Sequence, residues 1–187
     1  VMGGGMGISQ GAALRVVTER TKMAMPETAI GLFPDVGGGY FLSRCPGRVG
    51  EWLALTGDTI GAGDAIAYQL ADGCMPSDRQ VAVWDALATQ NFADGAAIKA
   101  YVASQFVAAQ ASGSSAQADI DQYFALPTVG DIVRGLEAAD SDWARATAAT
   151  LRTRSPLMLH VVLEQIRRAR TMGLADDLRM ERDMVRH

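Results

Sequence analysis

Glycine is crowded into two places near the start of this chain, Gly3-Gly4-Gly5 with Gly7, and Gly37-Gly38-Gly39. The stretch leading into the second cluster carries two carboxylates, Glu27 and Asp35, eight positions apart among Met25, Ala29, Ile30, Leu32 and Phe33. Runs of glycine belong where the backbone turns sharply or comes close to another group. An ionised carboxylate among apolar side chains costs several kcal/mol or has a raised pKa. The pair therefore needs a partner, a solvated pocket or a place in catalysis.

A glycine turn that opens a helix offers unpaired backbone N–H groups and the positive end of the helix dipole, a combination that binds phosphate or stabilises an oxyanion. The small and apolar residues Ile8, Ala12, Leu14, Val16 and Val17 predict that the helix after this turn runs over 5–17. The glycine spacing fails G-x-G-x-x-G, and with no lysine behind it fails the P-loop pattern, so nucleotide binding is disfavoured. An oxyanion site or plain close packing is left. Gly7-Ile8-Ser9-Gln10-Gly11 fits the nucleophile elbow of serine hydrolases, with His160 downstream in the right chain order. The elbow needs a strand directly before it, and Ser9 instead follows glycines into the first turns of a helix. For Glu27 and Asp35 the plain alternative is loop and helix capping. Glycine on both sides and apolar flanks favour function, since apolar surroundings bring a glutamate toward the pKa that a general base needs.

The rest of the chain reads as α/β. Thr21 to Met25 is a candidate strand closed by Pro26. Tyr40 to Leu42 begins a helix ended by Pro46-Gly47, and Val49, Trp52, Leu53 and Leu55 make another, closed by Gly57-Asp58. Asp64 to Leu70 is a helix and Gly73 to Pro76 a strand or turn. Beyond a boundary near Ser77 the chain becomes alanine-rich and helical, with an exposed Ser/Gly/Ala loop at 110–117. Ser155-Pro156 starts a helix whose Leu159, Val162, Leu163 and Ile166 share one face, with His160 on the other.

With 187 residues, 49% of them hydrophobic, the chain can bury one domain or one domain with an appendage. Residues 1–150 hold nine Lys and Arg against sixteen acids and residues 151–187 hold eight Arg against five, so neither part is basic enough for nucleic acid. The C-terminal arginines, interleaved with Asp176, Asp177, Glu181 and Asp183, read as a solvated helix face with ion pairs. Cys45 and Cys74 lack metal-type spacing and only two histidines are present, so no metal is expected. No signal peptide or membrane span is visible, which suits a reducing, cytoplasmic setting. The first residues start inside a motif and the last lack a helix stop, so a piece of a longer protein is expected.

VMGGGMGIS, MAMPETAIGLFPDVGGGYFLSR and LALTGDTIGAGDA, with weaker similarity through Pro127-Thr128-Val129 and Arg154-Ser155-Pro156, resemble the crotonase (enoyl-CoA hydratase/isomerase) superfamily, and within it the 3-hydroxyisobutyryl-CoA hydrolase branch. The resemblance implies a crotonase-like ββα spiral, of which residues 1–77 are the second half and 78–187 a helical C-terminal region. It implies an acyl-CoA thioester whose carbonyl oxygen lies against the Gly4 N–H, flanked by Gly3 and Gly5. Glu27 would attack the thioester or activate water, and Asp35 would hold the substrate 3-hydroxyl or relay protons.

Family hydratases place one glutamate at the position of Gly7, which disfavours two-glutamate hydration here. The alternatives are a hydratase or isomerase using Glu27 alone and a non-catalytic acyl-CoA-binding fragment. No cofactor is implied beyond the coenzyme A of the substrate. A trimer-based homo-oligomer is the superfamily expectation, as is the mitochondrial matrix for a eukaryotic parent. The upstream half, with the other oxyanion donor and much of the CoA surface, has no counterpart, so the chain alone is expected to be inactive.

Overall fold

The computed structural model describes residues 1–111 and 116–186. Half of the expected 110–117 loop, residues 112–115, thus lies outside the described residues. Helix α1 spans Gly4–Gln10 and strand β1 Val16–Val17, and a 3₁₀ turn covers Glu27–Ile30. Short helices follow: α2 (Gly38–Leu42), α3 (Val49–Thr56) and α4 (Ala62–Ala67), then strand β2 (Gly73–Cys74). The remainder is helical: α5 (Gln80–Thr89), α6 (Gly95–Ala103), α7 (Gln117–Phe124), α8 (Val129–Ala138), α9 (Asp142–Arg152), α10 (Pro156–Ala169) and α11 (Leu174–Val185).

The first helix is shorter than the 5–17 expected from sequence. It stops at Gln10 because Val16 and Val17 are drawn into a parallel pair with Gly73 and Cys74. Its would-be buried stripe also fails, since Ile8 is 85% exposed. The segment before Pro26 is extended as expected but pairs only locally. Met23 and Ile60 exchange both backbone hydrogen bonds, at 3.0 and 2.9 Å, while Ala24 accepts from Gly3 N–H at 3.2 Å. That last bond ties the glycine cluster to the strand leading to Glu27.

Helix α3 is buried on every side, Glu51 and Thr56 included, as expected of a helix that forms the centre of a domain. Glu51 is paired there with Arg48 at 2.9 Å and with Arg170 at 2.6 Å. Around α3 pack α10, α7, α2 and α9, and one hydrophobic core runs from Met6 and Met25 through Leu42, Leu55 and Phe124 to Val162 and Ile166. Helices α7 to α10 thus share a core with the part that carries the glycine clusters, while Val83 of α5 and Val102 of α6 form a second, small cluster with Met75.

Local signals set the helix starts. Ser155 Oγ accepts from Met158 N–H with Pro156 in the first turn of α10, Thr128 Oγ1 accepts from Asp131 N–H at α8, and Ser141 Oγ accepts from Ala144 N–H at α9. Each such cap stabilises its helix by about 1 kcal/mol. The face of α10 is as expected: Leu159, Val162, Leu163 and Ile166 are buried and His160 is exposed. No helix among the described residues is long and apolar enough to cross a membrane.

Candidate active site

Glu27 opens the 3₁₀ turn behind Pro26, with Met25 and Phe33 buried beside it; Ile30, expected to be part of the same apolar wall, is 79% exposed instead. The Glu27 side chain is only 6% exposed, and its Oε2 is buried without a hydrogen-bond donor among the described residues. Burial raises its pKa above the ordinary carboxylate range, its own backbone N–H pulls it part of the way back, and the negative charge of Asp35 adds to the rise. A folded chain seldom leaves such an oxygen unpaired for structural reasons.

The first glycine cluster meets this carboxylate. Gly3 has φ 50° and ψ −125°, a conformation closed to side chains, and a Cβ there would lie 2.9 Å from Glu27 Oε1. Gly3 N–H is committed to Ala24 O and Gly5 N–H to Met2 O at 3.1 Å. Between them Gly4 is the first residue of α1, where an N–H has no acceptor within the helix, and it is exposed with open space around its Cα. Of the three amides expected at this site, the Gly4 N–H is thus the one available to an incoming oxygen. It stands next in sequence to the glycine that touches the acid.

Gly7 is glycine for a different reason. A Cβ there would lie within 2.6 Å of Val36 Cγ2 and nearer still to the Val36 carbonyl oxygen. Val36 in turn sits at φ 52°, a left-handed conformation that strains a β-branched residue by about 1–2 kcal/mol, and Gly37 follows at φ 84°. Two consecutive left-handed residues turn the chain so that Asp35 is half-buried on the Glu27 side, close enough for its charge to be felt there. Capping does not account for Asp35. Its carbonyl accepts from Gly38 N–H at 2.8 Å, but its side chain caps nothing, and Gly37 is the N-cap residue of α2.

A carboxylate pair that sequence reasoning misassigned secures α2. Asp177 and Glu181, expected on a solvated face, are 0% and 4% exposed. Glu181 accepts from Gly37 N–H at 2.9 Å and from Gly39 N–H at 3.2 Å, and Asp177 accepts from Tyr40 N–H at 2.9 Å. The exposed ion pairs expected there do form, between Arg179 and Asp176 and between Arg182 and Asp183. The available signal was indirect: the Gly37 cluster contains no Ser, Thr, Asp or Asn to cap α2, so its amides required acceptors from elsewhere.

Ser9 offers no nucleophile elbow, for its hydroxyl donates to Met6 O at 2.8 Å within α1, with no strand before it. A cleft of about 380 Å³ opens beyond the contact of Gly7 and Val36, walled by Tyr40, Arg15, Arg44 and Leu178; Glu27, Asp35 and Gly4 lie outside its walls. The described residues include no cluster of three or more His, Cys, Asp or Glu arranged for a metal ion.

A buried unpaired acid against a glycine turn with a free amide sets the terms for comparison with known proteins. The enoyl-CoA hydratase/isomerase family model matches residues 1–187. The chain belongs to that family. Its relatives in the family include 3-hydroxyisobutyryl-CoA hydrolase 1 of Arabidopsis thaliana, 38% identical across all of this chain and 51% of the relative. Another is the small ribosomal subunit protein mS47 of the same plant, 36% identical over 92% of this chain and 44% of that protein. Among solved structures, a carnitinyl-CoA dehydratase from Mycobacterium thermoresistibile superposes with a TM-score of 0.88 at 41% identity, covering 97% of this chain and 52% of the other. The architecture is the α/β crotonase fold of the family, and the chain spans about half the length of the relatives it matches.

Proposed function

We propose that the protein carrying this chain hydrolyses a short 3-hydroxyacyl-CoA thioester, with 3-hydroxyisobutyryl-CoA, as in valine breakdown, the preferred substrate. The observation that carries the proposal is the contact of Val36 with Gly7. Val36 fills the position from which family hydratases are expected to extend their first glutamate, so Glu27 is left as the acid at the glycine turn, with Asp35 as its neighbour. A single general base beside a second, differently placed carboxylate suits hydrolysis better than addition of water across a double bond.

In this reading the thioester carbonyl oxygen takes the Gly4 N–H, and the amide stabilises the negative charge that develops on that oxygen. Gly3 and Gly5 shape the turn that presents it. Glu27 either removes a proton from water, whose oxygen then bonds to the carbonyl carbon, or bonds to that carbon itself and forms an anhydride that water later opens. In both routes the carbon–sulfur bond breaks and the coenzyme A sulfur leaves, to be protonated as the thiol. Asp35 accepts a hydrogen bond from the 3-hydroxyl or relays protons to Glu27. No cofactor is needed, because coenzyme A arrives as part of the substrate. Residues 1–77 act as the catalytic half-core and 78–187 as its helical support; a trimer-based assembly in the cytoplasm, or in the mitochondrial matrix of a eukaryote, completes the proposal.

The deciding experiment offers the protein 3-hydroxyisobutyryl-CoA and follows free thiol, with loss of the conjugated double bond of an enoyl-CoA measured in parallel. Thiol release without hydration is expected; hydration without thiol release would replace the hydrolase by a Glu27-based hydratase. The relative named as a ribosomal protein favours a second reading, an acyl-CoA-binding or assembly module without turnover. Calorimetric binding of the thioester with no thiol released would establish it.

A further inference from the structure

Every leading amide of α2 is accounted for, and most of the acceptors come from far along the chain. Gly38 N–H goes to the Asp35 carbonyl, whereas Gly37, Gly39 and Tyr40 N–H go to carboxylates on α11, more than a hundred residues away. The fit is close: a Cβ on Gly39 would strike Asp177 Oδ1, and one on Gly37 would reach Leu174 at 3.5 Å. The segment held in this way is the one with two successive left-handed residues, Val36 and Gly37. A strained turn persists only where its surroundings over-determine it.

We propose that Asp177 and Glu181 are positioning residues, which clamp the start of α2 and so keep Val36 against Gly7 and Asp35 turned toward Glu27. The link to Asp35 rests on the hydrolase reading; the clamp itself does not.

The clamp is sensitive to protons. Two carboxylates in one buried site cannot both ionise freely. Glu181 is pushed up to about 7 by burial and by the charge of Asp177, against the pull of the Gly37 and Gly39 amides. Asp177 is also raised by burial, against Glu181, Tyr40 N–H and Arg44. Asp177 Oδ1 has no donor among the described groups, and a proton shared with Glu181 supplies one. The other charges nearby are Arg44, stacked on Tyr40 with 3.5 Å to the ring centroid, and on α11 the pairs Arg179 with Asp176 and Arg182 with Asp183; α10 contributes the neutral Gln165, bound to Pro34 O at 2.7 Å. Because the folded pKa is raised, the clamp is firmest in acid and loosens as pH rises through about 7.

Amide hydrogen exchange on the protein carrying this chain tests this. From about pH 5.5 to about pH 8.5, protection of Gly37, Gly39 and Tyr40, corrected for intrinsic rates, should fall by about tenfold or more in the wild type. In Asp177→Asn the charge of Asp177 is gone and the amide can donate to an ionised Glu181, while burial remains, so protection should fall less than in the wild type. Glu181→Gln should be flat at a lower level, and the capped amides of Ala144 and Met158 should not respond. A wild-type slope that persists in both variants, or no slope in the wild type, overturns the clamp. In thioester hydrolysis by the protein carrying this chain, Glu181→Gln should remove an alkaline limb from kcat while leaving KM in place; an unaltered profile overturns the positioning role. Exchange needs no substrate, so absent turnover would count against the hydrolase reading alone.

Discussion

Buried carboxylates meet both the Gly3–Gly5 and the Gly37–Gly39 clusters, and the two places differ in how the oxygens are used. At Gly37–Gly39 both Glu181 oxygens and one Asp177 oxygen receive backbone N–H groups, and the result is a fixed joint. At Gly3–Gly5 the neighbouring amides are taken by carbonyls, and among the described residues Gly4 N–H has no acceptor and Glu27 Oε2 has no donor. Similar side chains beside similar backbone thus give a structural contact in one place and an unspent donor and acceptor in the other. What separates them is the backbone amides that the carboxylates receive rather than burial, since all three carboxylates are buried and Asp177 Oδ1, like Glu27 Oε2, has no donor among the described residues.

The strongest way to break this comparison is to remove each acid and measure both activity and stability. Glu27→Gln should lower thiol release by on the order of 10³, the size expected for loss of a general base or nucleophile, while leaving the melting temperature unchanged or higher, because an unpaired buried charge has been removed. Ser9→Ala should leave turnover as it is. If Glu27→Gln unfolds the protein instead, Glu27 belongs with the structural pair.

Glu181→Ala is the counterpart. It leaves Gly37 and Gly39 N–H buried without acceptors, and stability should fall by roughly 2–4 kcal/mol, read from denaturant midpoints. Titration sharpens the result. Glu27, Asp58, Asp177 and Glu181 all have folded pKa values above their ordinary ones, so the stability they contribute is complete below the ordinary carboxylate range and is lost as pH rises through the folded values, the last near 7. Asp72, held low by Arg15, works in the opposite sense and loses its contribution in stronger acid. The stability maximum should therefore lie on the acid side of neutral, and Glu181→Gln should flatten the decline toward pH 7.

The contrast also marks what could be read from sequence. The start of α10 was legible because Ser155, Pro156 and the Leu159 to Ile166 stripe act within a few residues of one another, and the end of α3 because Gly57 adopts φ 68° as its C-cap. The turn at Gly3 and the importance of Glu27 were legible for a similar reason, since the chemical conflict of an acid in apolar company is local. Long-range pairing defeated the reading elsewhere. Val16 and Val17 left the first helix for Gly73 and Cys74, and Asp177 and Glu181 turned inward while Leu174 and Leu178 stayed 48% and 43% exposed, the reverse of ordinary amphipathic order. That reversal is intelligible only once the uncapped amides of α2 are known to lie opposite.

Gly7 gives the next prediction. It borders both places, packed against the residue that joins them. Gly7→Ala should cost about 1–3 kcal/mol through overpacking against Val36, and adding Val36→Ala should restore part of the loss. Gly7→Glu should not create hydratase activity, because its side chain would have to displace Val36 from a turn fixed by the clamp. Hydration gained with stability intact would show that Val36 is no barrier.

The smallest effect should come from Asp35→Asn. The charge of Asp35 is a minor contributor to the raised Glu27 pKa, behind burial, so removing it should move the acid limb of kcat/KM only slightly downward. The substrate dependence should be larger than the pH effect. A 3-hydroxyacyl thioester exchanges a charged acceptor for the weaker amide oxygen and slows, whereas an acyl thioester without the hydroxyl has nothing to lose and keeps its rate. Equal slowing of both substrates would assign Asp35 to proton relay with Glu27. An acid limb that moves by a full unit or more would make Asp35, rather than burial, the main cause of the raised Glu27 pKa.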